Sequence, residues 1–193
     1  MSTPYVIVIA GPNGAGKSTT APTLLREALG VTEFVNADVI AEGLSAYSPE
    51  NVAMEAGRLM LGRLKHLAAA RATFAFETTL SSRTFAPWLR ALKAQGYKIA
   101  IMFFWLATPD QARARVRLRV SRGGHDVPEE VIDRRYHAGL RNFLSLYMMI
   151  ADTWWVYDNC HFGRPQLVAQ YTQETLSIVN EATWNLLSER HNG

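Results

Sequence analysis

Residues Gly11-Pro12-Asn13-Gly14-Ala15-Gly16-Lys17-Ser18 match the pattern G-x-x-x-x-G-K-[ST] and follow Tyr5–Ala10, an apolar, β-branched run. A strand feeding a glycine-rich turn that opens a helix is the arrangement that cradles phosphates, so this is a P-loop. The glycines let backbone N–H groups approach a triphosphate, Lys17 reaches its outer phosphates, and the Ser18 hydroxyl is a ligand for Mg²⁺. Gly11, Asn13, Gly14, Ala15, Gly16, Lys17, Ser18 and Thr19 form the expected nucleotide seat. The helix over residues 16–29 then offers its unpaired N–H groups and dipole to the anion. A nucleoside triphosphate and Mg²⁺ are the expected ligands.

Periodicity divides the rest into alternating strands and helices. Strands are expected at 5–10, 33–37, 73–77, 98–106 and 154–157, and helices at 48–70, 85–95, 110–122, 128–150 and 166–187. Gly96 ends one helix, Pro109 suits the start of another, and residues 98–106 are continuously apolar, as a buried parallel strand requires. This alternation predicts an α/β P-loop NTPase fold of the small-molecule-kinase type. It has a five-stranded parallel sheet with helices on both faces, in one domain over 1–193 with a terminal helix at about 166–187.

Composition adds bounds. A chain of 193 residues with 48% apolar content can bury a full core. No apolar run approaches membrane-spanning length, and a strand begins almost at once, so neither an anchor nor a secretory leader is expected and the location is expected to be cytoplasmic. The single cysteine, Cys160, allows no internal disulfide. A net charge of +3 suits anionic ligands but is too small to argue for nucleic acid.

Ligands of such sheets bind beyond the carboxyl ends of the strands, which directs attention to the polar residues there. Asp38, after the second strand, has three candidate roles: accepting a proton from a substrate hydroxyl, holding Mg²⁺ through water, or capping the following helix. Glu77, Thr78 and Thr79 close the third strand. A carboxylate there is costly to bury unpaired, so it either faces an open acceptor site or sits at a rim beside a capped helix. On the helix over 110–122, Arg115, Arg119 and Arg122 share one face, with Ala112, Val116 and Val120 as the adjacent apolar stripe. Gly123-Gly124-His125 joins this helix to one bearing Arg134 and Arg135. The pair reads either as a lid over about 109–136 that brings cations to a triphosphate, or as a solvated basic face. His125 is a candidate contact to substrate, Arg115 to the nucleotide, and Asn159, after the fifth strand, to the purine. The five tryptophans read as packing rather than as a base-stacking platform.

Together, GPNGAGKST from Gly11, Asn36-Ala37-Asp38, Glu77-Thr78-Thr79-Leu80-Ser81, the stretch RVRLRVSRGGHDVP from Arg115 to Pro128, Arg135-Tyr136 and Tyr157-Asp158-Asn159 resemble the zeta-toxin family of P-loop kinases. The resemblance spans roughly residues 5 to 160. It implies transfer of a phosphoryl group from ATP, with Mg²⁺, to a hydroxyl of a small acceptor such as UDP-N-acetylglucosamine, and a small antitoxin protein as partner. By position it implies Lys17 and Ser18 on phosphate and metal, Asp38 as the base, Glu77 and Thr79 on the acceptor, and Arg119 and Arg135 as charge-stabilising arginines. The chain departs from the family in reading Val39-Ile40-Ala41 after Asp38 and in being shorter than the best-known toxins. An ATP-controlled binding switch and a polynucleotide end kinase are the rival functions.

Overall fold

The computed structural model describes residues 3–161 and 163–189. Its centre is β1 (Tyr5–Ala10), flanked by β3 (Phe74–Thr78) and β4 (Lys98–Trp105), all parallel. The short β2 (Phe34–Val35) lies outside β3, and β5 (Thr153–Asp158) lies outside β4. Beyond β5 the sheet continues antiparallel through β6 (Gln166–Thr172) and β7 (Thr175–Ile178), giving the order β2-β3-β1-β4-β5-β6-β7. The five parallel strands are where the sequence places them, although β2 is two residues rather than five.

Alternating side chains of β1 feed two cores, as the period of a strand requires. Val6 and Val8 face one way, into a layer built by α3 (Ala53–Ala69), α4 (Phe85–Ala94) and the helical run made of α6 (Glu129–Asn142), a π-turn at Phe143–Tyr147 and α7 (Met148–Ile150). Ile7 and Ile9 face the other way, against α1 (Lys17–Thr23), its π-turn continuation Leu24–Ala28, and α5 (Pro109–Val120). Ala112 and Val116 are buried on α5, as the stripe predicts. The inner half of α6, through Ile132 and Tyr136, closes the second core. The sheet is therefore covered on both faces, which a parallel sheet needs.

The expected terminal helix over 166–187 is a β-hairpin followed by a short helix, α8 (Glu181–Glu189), so the sheet has seven strands and is mixed. The turn explains the discrepancy. Gln173 and Glu174 both hold positive φ, 50° and 60°, where hairpins usually place Asn-Gly. Without a glycine the turn leaves little trace in the sequence. The strand content of Leu167, Val168, Tyr171 and Thr172 then decides the conformation. Trp184 of α8 stacks on Trp154 of β5, with ring centroids 5.7 Å apart, and fixes the helix to the sheet.

Candidate functional site

The P-loop sits where β1 ends and α1 begins. Gly11 holds φ +139°, and a Cβ placed there would lie 2.2 Å from the carbonyl oxygen of Phe104 on β4, so only glycine lets the loop leave the sheet at this point. Asn159 closes the loop from the other side, its Nδ2 donating to the carbonyl of Ala15 at 2.8 Å. Expected to reach a purine, this residue braces the phosphate loop and lines the cleft beside it.

Lys17 is buried, at 5% exposure. Its Nζ donates to the Pro12 carbonyl at 2.9 Å and stands 3.5 Å from Glu77 Oε1. Burial lowers the lysine pKa, and the charges of Glu77 and Asp38 oppose that shift. Glu77, at the end of β3, is the hub of the site. Its Oε2 accepts from Ser18 Oγ at 2.8 Å and from Asn36 Nδ2 at 2.9 Å. The cost of holding a carboxylate at the end of an apolar strand is thus met by two hydrogen bonds and an ammonium group.

The donor set beside Ser18 suits Mg²⁺. This ion prefers hard oxygen ligands, takes one or two carboxylates, and completes its shell with phosphates and water. Ser18 and Glu77 supply a hydroxyl and a carboxylate within 2.8 Å of one another. Among the described residues no group of three or more His, Cys, Asp or Glu side chains forms an all-protein cage, so a nucleotide's phosphates would provide the remaining ligands.

Asp38 lies in the first turn of α2 (Ala37–Leu44). The helix cap is Asn36, whose Oδ1 accepts from the Asp38 N–H at 2.8 Å, so the carboxylate of Asp38 is not spent on capping. Asp38 faces the cleft and is electrostatically coupled to Lys17 and to Arg135 on α6. Burial lowers the pKa of Arg135, an effect Asp38 opposes and Arg134 reinforces.

Opposite the P-loop, Arg115, Arg119 and Arg122 all reach one cleft of ≈ 590 Å³ together with Lys17, Ser18, Asp38 and Glu77. Arg115 Nη2 donates to the Cys160 carbonyl at 3.0 Å, and Arg119 Nη2 to the His125 carbonyl at 2.6 Å. Arg119 Nε is buried without a hydrogen-bond partner among the described residues. The helices of the expected lid are stapled on their outer side: Arg113 pairs with Asp110 and Asp133, and Arg117 with Glu129.

Not every expected contact converges. His125 lines a neighbouring cleft of ≈ 690 Å³ with Glu42, Tyr47 and Asp126, rather than the one that holds Lys17. Thr78 Oγ1 accepts from Leu80 N–H at 3.1 Å, and Thr79 Oγ1 hydrogen-bonds Ser81 Oγ at 2.9 Å, so both hydroxyls serve their own turn. That turn is pinned to α6, where Asn142 Nδ2 donates to the Leu80 carbonyl at 2.8 Å. Asn36, not among the expected site residues, belongs to the site through Glu77. The Asn36-Ala37-Asp38 spacing was the one sequence trace of it.

Residues 6–138, more than half of the chain, match a family model described as AAA domain, and the chain belongs to that family. An uncharacterised protein of Haemophilus influenzae is 26% identical over 130 residues, covering 67% of this chain and 91% of that protein. Among solved structures, a chain of the AvrRxo1-ORF1:AvrRxo1-ORF2 complex with sulphate ions superposes with a TM-score of 0.77 at 16% identity, over 96% of this chain. The present chain spans 64% of that protein's length. A chain of the PezAT chromosomal toxin–antitoxin system of Streptococcus pneumoniae gives 0.68 at 18% identity, over 100% of this chain and 80% of that one. The fold is that of the kinase-like P-loop NTPases. Among the described residues no helix is long and apolar enough to cross a membrane.

Proposed function

Starting from that membership, we propose that the protein is an ATP- and Mg²⁺-dependent kinase that moves the γ-phosphoryl group of ATP to a hydroxyl of a small acceptor. The observation that carries this reading is the meeting, in one cleft, of the Lys17–Glu77–Ser18 cluster with Asp38 and Arg119. A phosphate seat alone serves a switch equally well; a carboxylate across from it, left free by the Asn36 cap, is what a phosphoryl acceptor needs.

The triphosphate lies along the P-loop amides, with Lys17 drawn from Pro12 and Glu77 to the outer phosphates. Ser18 and Glu77 would hold Mg²⁺ beside the phosphates, where the ion would supply neutralisation of their negative charge. Asp38 takes the proton from the acceptor hydroxyl as its oxygen bonds to the γ-phosphorus. The bond from that phosphorus to the β–γ bridging oxygen breaks, and ADP leaves. Arg119 and Arg135 face the charge that spreads over the transferred group. α5 and α6 act as the lid, and Arg115 lies along the nucleotide.

The zeta-toxin resemblance makes UDP-N-acetylglucosamine the first acceptor to offer, a small antitoxin the partner to seek, and the cytoplasm the proposed location. The AvrRxo1 complex has also been solved with ATP, in support of ATP as donor. The test is incubation with γ-labelled ATP, Mg²⁺ and UDP-N-acetylglucosamine, with Lys17→Ala as blank. Label on the sugar nucleotide is expected. Label released only as inorganic phosphate, both with this sugar and with a metabolite extract, overturns the kinase in favour of an ATPase switch.

A further inference from the structure

Asn36 stands between the end of β2 and the start of α2 and is 6% exposed. Both ends of its amide are engaged. Oδ1 accepts from the Asp38 N–H at 2.8 Å, and Nδ2 donates to Glu77 Oε2 at 2.9 Å. This pattern fixes the orientation of the group, because the flipped amide would set an oxygen against the carboxylate and a nitrogen against an N–H. The same Glu77 oxygen accepts from Ser18 Oγ at 2.8 Å. One buried side chain therefore touches both the turn that carries Asp38 and the carboxylate that faces Ser18.

We propose that Asn36 is a positioning residue that couples the two halves of the site, holding Glu77 toward Ser18 for Mg²⁺ while it holds the helix turn that presents Asp38. The proposal rests on the kinase reading above. Its physical content lies in the Nδ2 donor. Capping by itself is replaceable, since Ser and Asp serve at that position about as well as Asn. Donation to Glu77 is not, since neither replacement offers an amide N–H₂ at that reach. Glu77 would keep its Ser18 bond and its Lys17 partner, but both are lent to the nucleotide complex: Lys17 moves to phosphate and Ser18 to the metal. Asn36 is then the partner that stays with Glu77 throughout. Groups that orient a metal-binding side chain from behind change metal affinity by about 10–100-fold when lost.

The experiment is calorimetric binding of ATP, with and without Mg²⁺, to the wild type, Asn36→Ser and Asn36→Thr. The wild type is expected to gain affinity from Mg²⁺. Asn36→Ser keeps a cap and is expected to bind metal-free ATP as the wild type does, while losing about 10–100-fold of the Mg²⁺-dependent gain. Asn36→Thr keeps a cap and likewise lacks the amide N–H₂, and the same loss is expected. A merely structural asparagine would weaken both titrations alike and leave their ratio unchanged, and that result overturns the proposal. Should Asn36→Ser fold poorly, Asn36→Thr, also neutral and closer in volume, decides by the same ratio. A wild type that binds no ATP overturns the kinase reading, and this proposal with it, whereas an unchanged ratio in a wild type that binds ATP and Mg²⁺ overturns this proposal alone.

Discussion

The two walls of the cleft carry positive charge by opposite means. On the P-loop side, Lys17 is buried, hydrogen-bonded to Pro12 and paired with Glu77, and the loop around it is locked by the close approach to Phe104 and by Asn159. On the lid side the charge is supplied by arginines on α5, whose hold is a carbonyl of a neighbouring loop: His125 for Arg119, Cys160 for Arg115. The first wall is organised before any ligand arrives, and its cost is a lysine whose pKa is pushed down by burial. The second keeps its guanidinium groups on backbone carbonyls that a phosphate oxygen readily outcompetes, because a charged acceptor makes the stronger bond. On the proposed kinase reading, binding falls to the first wall and transition-state stabilisation to the second.

Substitutions on the fixed wall should have the largest effect. Lys17→Ala removes the ammonium group, and phosphoryl transfer is expected to fall by about 10³-fold. Its folding should persist, because Glu77 keeps its bonds to Ser18 and Asn36. Asp38→Asn, which preserves shape and the Asn36 cap, is expected to cost about 10²–10⁴-fold in kcat with ATP binding retained. Single-turnover transfer alongside a calorimetric ATP titration checks both. Wild-type kcat in the Asp38 variant would remove it as the base.

The lid comes next, and here the two arginines should separate. Arg119 faces Asp38 and Lys17 across the cleft, while Arg115 lies along the loop after β5. Arg119→Ala is therefore expected to lower kcat by about 10²-fold, the cost of one donor to developing charge, with a smaller change in acceptor KM. Arg115→Ala should raise the KM for ATP more than it lowers kcat. Equal kcat losses in the two variants would show that the lid supplies only a diffuse field.

The same contrast decides what the sequence disclosed. The P-loop wall is written in consecutive residues, because backbone N–H groups do the work and the glycines that permit it are local. The α5 face was also legible, since Arg115 and Arg119 keep helical spacing against Ala112 and Val116, whereas the helix ends at Val120 and Arg122 reaches the cleft from the turn beyond it. Asn36 escaped because its partner Glu77 is 41 residues away and is reached only through the pairing of β2 with β3. Asn159 was placed at the right end of the sheet, but whether an amide meets a purine or a loop carbonyl is settled in space. The Gln173–Glu174 turn misled because two residues other than glycine hold the positive φ that marks a hairpin. The hydroxyls of Thr78 and Thr79 compete for their own turn, a preference of short polar side chains that motif spacing does not reveal.

A further substitution probes how the acceptor side is held to the lid. Gly139 on α6 packs against the turn after β3, and a Cβ there would lie 2.3 Å from the Thr79 carbonyl oxygen. Gly139→Ala improves helix propensity by up to about 1 kcal/mol, yet it must push α6 from that turn, an overpacking cost of about 1–3 kcal/mol. A net loss of stability in urea denaturation is expected, with transfer reduced because Arg135 rides on the same helix. Equal or greater stability would mean that α6 is free to shift at this point.

The smallest effect belongs to the outer staple of the lid. Arg113 pairs with Asp110 on its own helix and with Asp133 on α6, and Arg117 with Glu129 beside them. These pairs lie away from the cleft, with Asp110, Arg117 and Glu129 exposed and Arg113 half-buried. Ion pairs in that setting contribute little, because water screens the attraction and ordering long side chains costs entropy. Two helices joined through two such pairs, with Asp110 holding Arg113 from its own helix, still differ from a single exposed pair, since each contact is made with its neighbour already in place. Arg113→Ala is accordingly expected to lower the melting temperature slightly at low salt and not at all at high salt, with ATP affinity unchanged in either. On the P-loop wall Lys17 is buried, so its attraction for the phosphates should survive the same salt. Should the Arg113 variant lose transfer as Arg119→Ala does, the staple would be positioning the guanidinium groups on the opposite face of α5, and the lid would be as preorganised as the loop it faces.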